Sequence, residues 1–69
     1  MPDLARIGET IVDRRMALRL TQQTLADLAG VSRSSVQALE KSNGSTRIGS
    51  VFEIAEVLGL RLDVSVMSE

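Results

Sequence analysis

The stretch Thr21–Glu40, TQQTLADLAGVSRSSVQALE, decides the fold. It reads as two short helices joined by a sharp turn. Thr21 can cap the first helix, which Gln22 opens. Gly30 ends that helix where the chain needs a positive φ, a conformation that glycine adopts without steric penalty. Ser32 can cap the second helix by accepting from the amides of its first turn. Ala26 has almost no side chain, so the second helix can cross close above it. Leu25, Leu28, Val36 and Leu39 recur at three- and four-residue spacings and are expected to point inward. Arg33, Ser34, Gln37 and Ala38 are then left pointing outward.

Two helices so joined make a helix-turn-helix, whose second helix is shaped to enter a DNA major groove. Gln22, Ala26, Gly30, Val36 and Leu39 all fall in the register of the Cro/C1, or XRE, family, which the chain resembles from Arg14 to Leu60. The resemblance implies a mainly α, four-helix phage-repressor-like domain over residues 1–59. It also implies a partly buried ion pair between Arg15, near the end of the preceding helix, and Glu40. Arg15 stands on an otherwise apolar stripe, where a partly buried charge needs a partner. A snorkelling side chain is the alternative.

On a duplex, the helix beginning at Ser32 would bring Arg33 and Ser34 to the base edges first, with Gln37 and Ala38 one turn later. Arg33 suits guanine O6 and N7, Gln37 suits adenine, and Ala38 can touch a thymine methyl. Thr21 and Gln22, on the positive end of the preceding helix, are expected at a phosphate. Ser32 and Ser35 are candidates for the same role, as are Lys41, Asn43, Ser45 and Arg47 around the loop KSNGSTRIG, which Asn43-Gly44 marks as a turn.

Upstream, Asp3 can cap a first helix running to roughly Leu18, with Leu4, Ile7, Ile11 and Leu18 on its inner face. Gly8 interrupts that helix at a cost of about 1 kcal/mol relative to alanine, unless a neighbour packs closely there. Downstream, a fourth helix is expected from Ile48 to Leu58. Its buried side would comprise Ile48, Val51, Phe52, Ile54, Ala55 and Leu58. Thr46 and Gly49 stand near its start where members of the family carry a proline and a bulky polar residue. Gly59 stops it.

After Gly59 the period changes. Leu60, Leu62, Val64 and Val66 alternate with polar residues, the signature of a half-buried strand. A single strand has no ladder partner in a helical chain, and its open edge invites pairing with another copy. Residues 60–69 are therefore expected to form a dimerisation strand and tail, closing a two-fold homodimer; a frayed tail is the alternative. With this ending the chain resembles the HipB-like antitoxins of toxin–antitoxin modules. That resemblance implies a dimer on a palindromic operator in double-stranded DNA, repression of its own operon, and a HipA-like kinase toxin as partner.

Composition removes other function classes. The 69 residues contain no cysteine and no histidine, so the commonest nucleophile–base pairs and metal ligands are missing. No phosphate-cradling GxxxxGK[ST] and no clustered carboxylate set is present, and nothing near Ser34-Ser35 could activate a hydroxyl. The expectation is a non-enzyme with no cofactor and no metal. No apolar run approaches the roughly 20 residues of a membrane span, and MPDLARIGET lacks a secretory signal. A cytoplasmic, bacterial nucleoid-associated protein is the expectation. A net charge of −1 argues at first sight against DNA. Distribution matters more than the sum: Arg14, Arg15, Arg19, Arg33, Lys41 and Arg47 surround the motif, whereas Glu53, Glu56, Asp63 and Glu69 follow it. At this size a fold buries only about 60% of its unfolded surface, and a partner chain would help. Two other readings stay open: a stand-alone XRE-type repressor without a toxin, and an adaptor that binds protein or RNA.

Overall fold

Four helices, connected by turns of a few residues, account for most of the computed structural model, which describes residues 4–42 and 46–62. They are α1 (Leu4–Ala17), α2 (Gln22–Ala29), α3 (Arg33–Lys41) and α4 (Ile48–Val57). α1 packs on α3, and α2 packs on both α3 and α4. Among the described residues no helix is long and apolar enough to cross a membrane.

Three of the helices stop by the same device. At their ends Arg19, Gly30 and Gly59 take positive φ angles of 58°, 70° and 71°. The following amide then reaches back to a carbonyl of the last turn: Leu20 to Arg15 (3.0 Å), Val31 to Ala26 (3.0 Å) and Leu60 to Ala55 (2.8 Å). This is the Schellman geometry, which satisfies carbonyls that a helix end would otherwise orphan. Leu20, Val31 and Leu60 are all apolar and all pack against the core, so each stop also fastens the chain to the interior. α3 ends on a positive φ as well, at Ser42 (60°).

The core consists of Ile11, Leu25, Ala26, Ala29, Val36, Leu39, Ile54 and Leu58. Leu25, Ala26, Val36 and Ile54 are fully buried. Gly8 is where α1 meets the end of α3: a β-carbon there would lie 2.8 Å from the carbonyl oxygens of Leu39 and Glu40 and 2.7 Å from Ser42 Oγ. The close neighbour that would justify a glycine in mid-helix is present. Further along α1, Arg14 Nε donates to the carbonyl of Leu58 at 2.8 Å, tying α1 to the end of α4.

Four residues expected inside are on the surface. Leu28 is 60% exposed, Phe52 43%, Ile48 70% and Leu18 40%. At about 100° per residue, Leu25, Ala29 and Ala26 span roughly 100° of α2, and Leu28 falls about 60° outside that arc. On α4, Ile54, Leu58 and Ala55 span the same arc and Phe52 lies about 60° past it. Ile48 is the first residue of α4 and overhangs the core. Leu18 lies beyond the last residue of α1, in the turn leading to Arg19. The expected strand is described only as far as Leu62, and residues 60–62 form no ladder among the described residues. Val64 and Val66 lie outside the described residues, as does Asp3.

Candidate nucleic-acid interface

Hydroxyl caps start both helices of the central motif. Thr21 Oγ1 accepts from the amide of Thr24 at 3.0 Å. Ser32 Oγ accepts from the amide of Ser35 at 3.1 Å. Such caps are worth about 1 kcal/mol each, and they fix where the first turns begin. Neither α2 nor α3 carries an acidic residue in its first turn. Neither helix therefore sets a carboxylate of its own first turn against its positive end. The start of α2 and Arg33, the first residue of α3, share one groove, lined by Arg15, Arg19, Thr21, Gln22, Gln23 and Arg33.

Within that lining the arginines divide the work. Arg15 is turned inward. Its Nε and Nη2 donate to Glu40 Oε2 and Oε1 at 2.7 and 3.2 Å, and its Nη1 donates to the carbonyl of Leu20 at 2.9 Å. The side chains of this pair are only 16% and 7% exposed, so it is part of the interior rather than a snorkelling surface charge. Arg19 and Arg33 are exposed. They give the groove two cations in addition to the positive end of α2.

Gln22 lies between the two helices. Its Nε2 donates to Glu40 Oε1 at 3.0 Å, and its Oε1 accepts from Gln37 Nε2 at 3.4 Å. An ordered chain Arg15–Glu40–Gln22–Gln37 thus runs from the interior to the outer side of α3.

The remaining candidates are distributed unevenly. Arg33 and Ser34 are exposed at the start of α3, while Gln37 and Ala38 are half-buried one turn on. Ser32 and Ser35 hold each other, Oγ to Oγ at 3.0 Å, at the head of the same helix. Lys41 and Arg47 are exposed at either side of the loop, whose Asn43 and Ser45 lie outside the described residues. Arg14, read as part of the basic surround, instead faces the end of α4. Arg19 and Gln23 were not among the expected contacts, yet both line the groove. For Arg19 the available signal was its place two residues before the Thr21 cap. Gln23 Nε2 bonds Asp27 Oδ1 at 2.9 Å along α2.

Comparison with known proteins adds the following. A helix-turn-helix family, HTH_3, matches residues 11–65. A Rhodospirillum rubrum protein described as an uncharacterized transcriptional regulator in the ATPase CF(0) region is 34% identical over 59 residues, 86% of this chain. The chain spans 55% of that relative's length. Among solved structures, a HipA-HipB-O2-O3 complex superimposes with a TM-score of 0.82 at 18% identity, over 99% of this chain and 96% of the other. A structure called MDT Protein gives the same values. A complex of a HipB variant with an O2 20mer gives a TM-score of 0.81 at 18% identity, over 99% of this chain and 94% of its counterpart. At that identity the likeness is one of fold.

Proposed function

Because the chain belongs to the HTH_3 helix-turn-helix family, of the XRE type, we propose that it is a dimeric, sequence-specific DNA-binding repressor, acting as the antitoxin of a HipA/HipB-like module that regulates its own operon. The family is one of DNA-binding regulators and not of enzymes. The observation that carries the DNA reading is the shared groove. The start of α2, which carries no acidic residue in its first turn, meets the exposed Arg19 and Arg33 there, an arrangement that favours a phosphate backbone. On this reading Arg33 and Ser34 enter the major groove, with Gln37 and Ala38 behind them. Arg19, Thr21, Gln22, Ser32, Ser35, Lys41 and Arg47 follow the backbone.

Self-association is supported by Ile48 and Phe52. These large apolar side chains lie one turn apart on one flank of α4 and are 70% and 43% exposed. A second copy related by a two-fold axis would cover them, and would put two reading helices on a palindromic operator with half-sites about 10 base pairs apart or at a multiple of that spacing. The toxin-binding part rests on the fold likeness to HipB and on the exposed Glu53 and Glu56 beside this flank. Selection from a random duplex pool with purified protein should enrich a two-fold-symmetric site. Failure to retain any duplex at low ionic strength would defeat the DNA reading. Co-purification with a kinase encoded beside the gene should succeed if the antitoxin reading holds; absence of such a gene leaves a stand-alone repressor.

A further inference from the structure

We propose that Gln22 is a positioning residue that fixes which way round Gln37 presents its carboxamide, and so fixes the kind of base edge Gln37 accepts. This deepens the duplex-binding reading above and rests on it. A glutamine amide is ordinarily ambivalent, because turning it end for end exchanges donor and acceptor at little energetic cost. Here the exchange is blocked from one end. The Glu40 carboxylate has only acceptor atoms, and both are engaged by Arg15. Gln22 can therefore meet Glu40 only through its NH2 group, as it does at 3.0 Å.

Gln22 Oε1 is then turned toward Gln37, which must answer with its own NH2 group, at 3.4 Å. The carbonyl of Gln37 is left on the opposite side of the amide as its leading group, with one N–H still available. A leading acceptor meets a base that offers a hydrogen: adenine through N6, with N7 taken by the remaining N–H, or cytosine through N4. Guanine O6 and thymine O4 offer no hydrogen to that carbonyl and could be met only by the remaining N–H, one contact in place of two. The last link is long and correspondingly soft, so it biases the amide of Gln37 while leaving its carbonyl and second N–H free for a base.

The test uses the full chain and a random-sequence duplex pool. Gln37→Ala first identifies the base pair that Gln37 addresses, as the position where selectivity disappears. At that position the wild type should favour adenine or cytosine over guanine or thymine by about five- to hundredfold, the range of a well-formed side-chain–base contact. Gln22→Met should bring this ratio close to one at that position alone, with the other positions keeping their preferences. In the DNA-free protein, the side-chain NH2 resonances of Gln37 should shift in Gln22→Met, a readout that does not depend on affinity. An equal loss of affinity for every sequence in Gln22→Met, with the preference intact, would leave Gln22 with its backbone contact alone and overturn the proposal while leaving the repressor reading standing. Guanine or thymine enriched by the wild type at that position, or unmoved Gln37 resonances, would overturn it as well. A wild-type protein that selects no sequence at all would sink the repressor reading and this proposal together.

Discussion

Arg19 holds a φ of 58°, a conformation that costs a residue with a β-carbon about 1–2 kcal/mol and that α2 and α4 assign to glycine at the equivalent point. An arginine kept there, exposed on the groove, points to a use for its charge that outweighs the strain. Arg19→Asn separates the two, since asparagine tolerates the left-handed region but brings no charge. The expected result is an unchanged melting temperature with weaker binding to all duplexes alike. The slope of log affinity against log salt should fall by about one unit, measured by titration at several salt concentrations. Arg33→Ala should behave differently. Loss of a guanine contact costs about 1–3 kcal/mol and relaxes preference at one base pair, which selection would register as a single blank position. At this scale the caps Thr21 and Ser32 and the stops Gly30 and Gly59 were legible, because each residue type carries its own conformational signature. Arg19 was not, because nothing in an arginine announces a positive φ.

The junction of α1 with α3 depends on two things that no single helix shows. Gly8 lets α1 approach the carbonyls of Leu39 and Glu40, and the Arg15–Glu40 pair closes the same contact a few residues away. Alanine at Gly8 would gain about 1 kcal/mol of helix propensity. It would also place a methyl group 2.8 Å from two backbone oxygens that cannot move aside without parting the helices. Overpacking typically costs about 1–3 kcal/mol, and contacts to backbone belong at the upper end. Gly8→Ala should therefore lower the melting temperature by several degrees in a domain this small, as followed by circular dichroism. The helices themselves could be read from apolar spacing and came out within a residue or so of expectation. Their faces were harder. Leu28 and Phe52 have the right chemistry for burial, but which 100° of a helix is covered is set by the crossing partner, and that information is not local.

For the molecule as a whole, the exposed pair Ile48 and Phe52 departs from a self-sufficient core among the described residues. Phe52→Ser should leave the helical signal intact while shifting sedimentation toward the monomer and weakening operator binding. A dimer that persists with unchanged affinity would place the interface elsewhere. Leu25→Ala is the control for stability: fully buried, it should cost about 2–5 kcal/mol and unfold the chain together with its binding. The overall charge was a poor guide at this scale. Two of the six cations around the motif, Arg14 and Arg15, are committed to internal contacts, and the groove draws its positive character from Arg19, Arg33 and the start of α2. Two-fold pairing remains a proposal drawn from a pattern, since one chain's sequence contains half of each contact.

Arg14 and Arg15 are neighbours on one helix, turned about 100° apart by its geometry. The first grips the carbonyl of Leu58, where the chain departs toward its C-terminus; the second grips Glu40, at the foot of α3. A stiff rod bearing two hooks cannot slacken one and keep the other in place. A roll of α1 about its long axis would pull on both anchors, so the ends of α3 and α4 are linked through a single pair of adjacent residues.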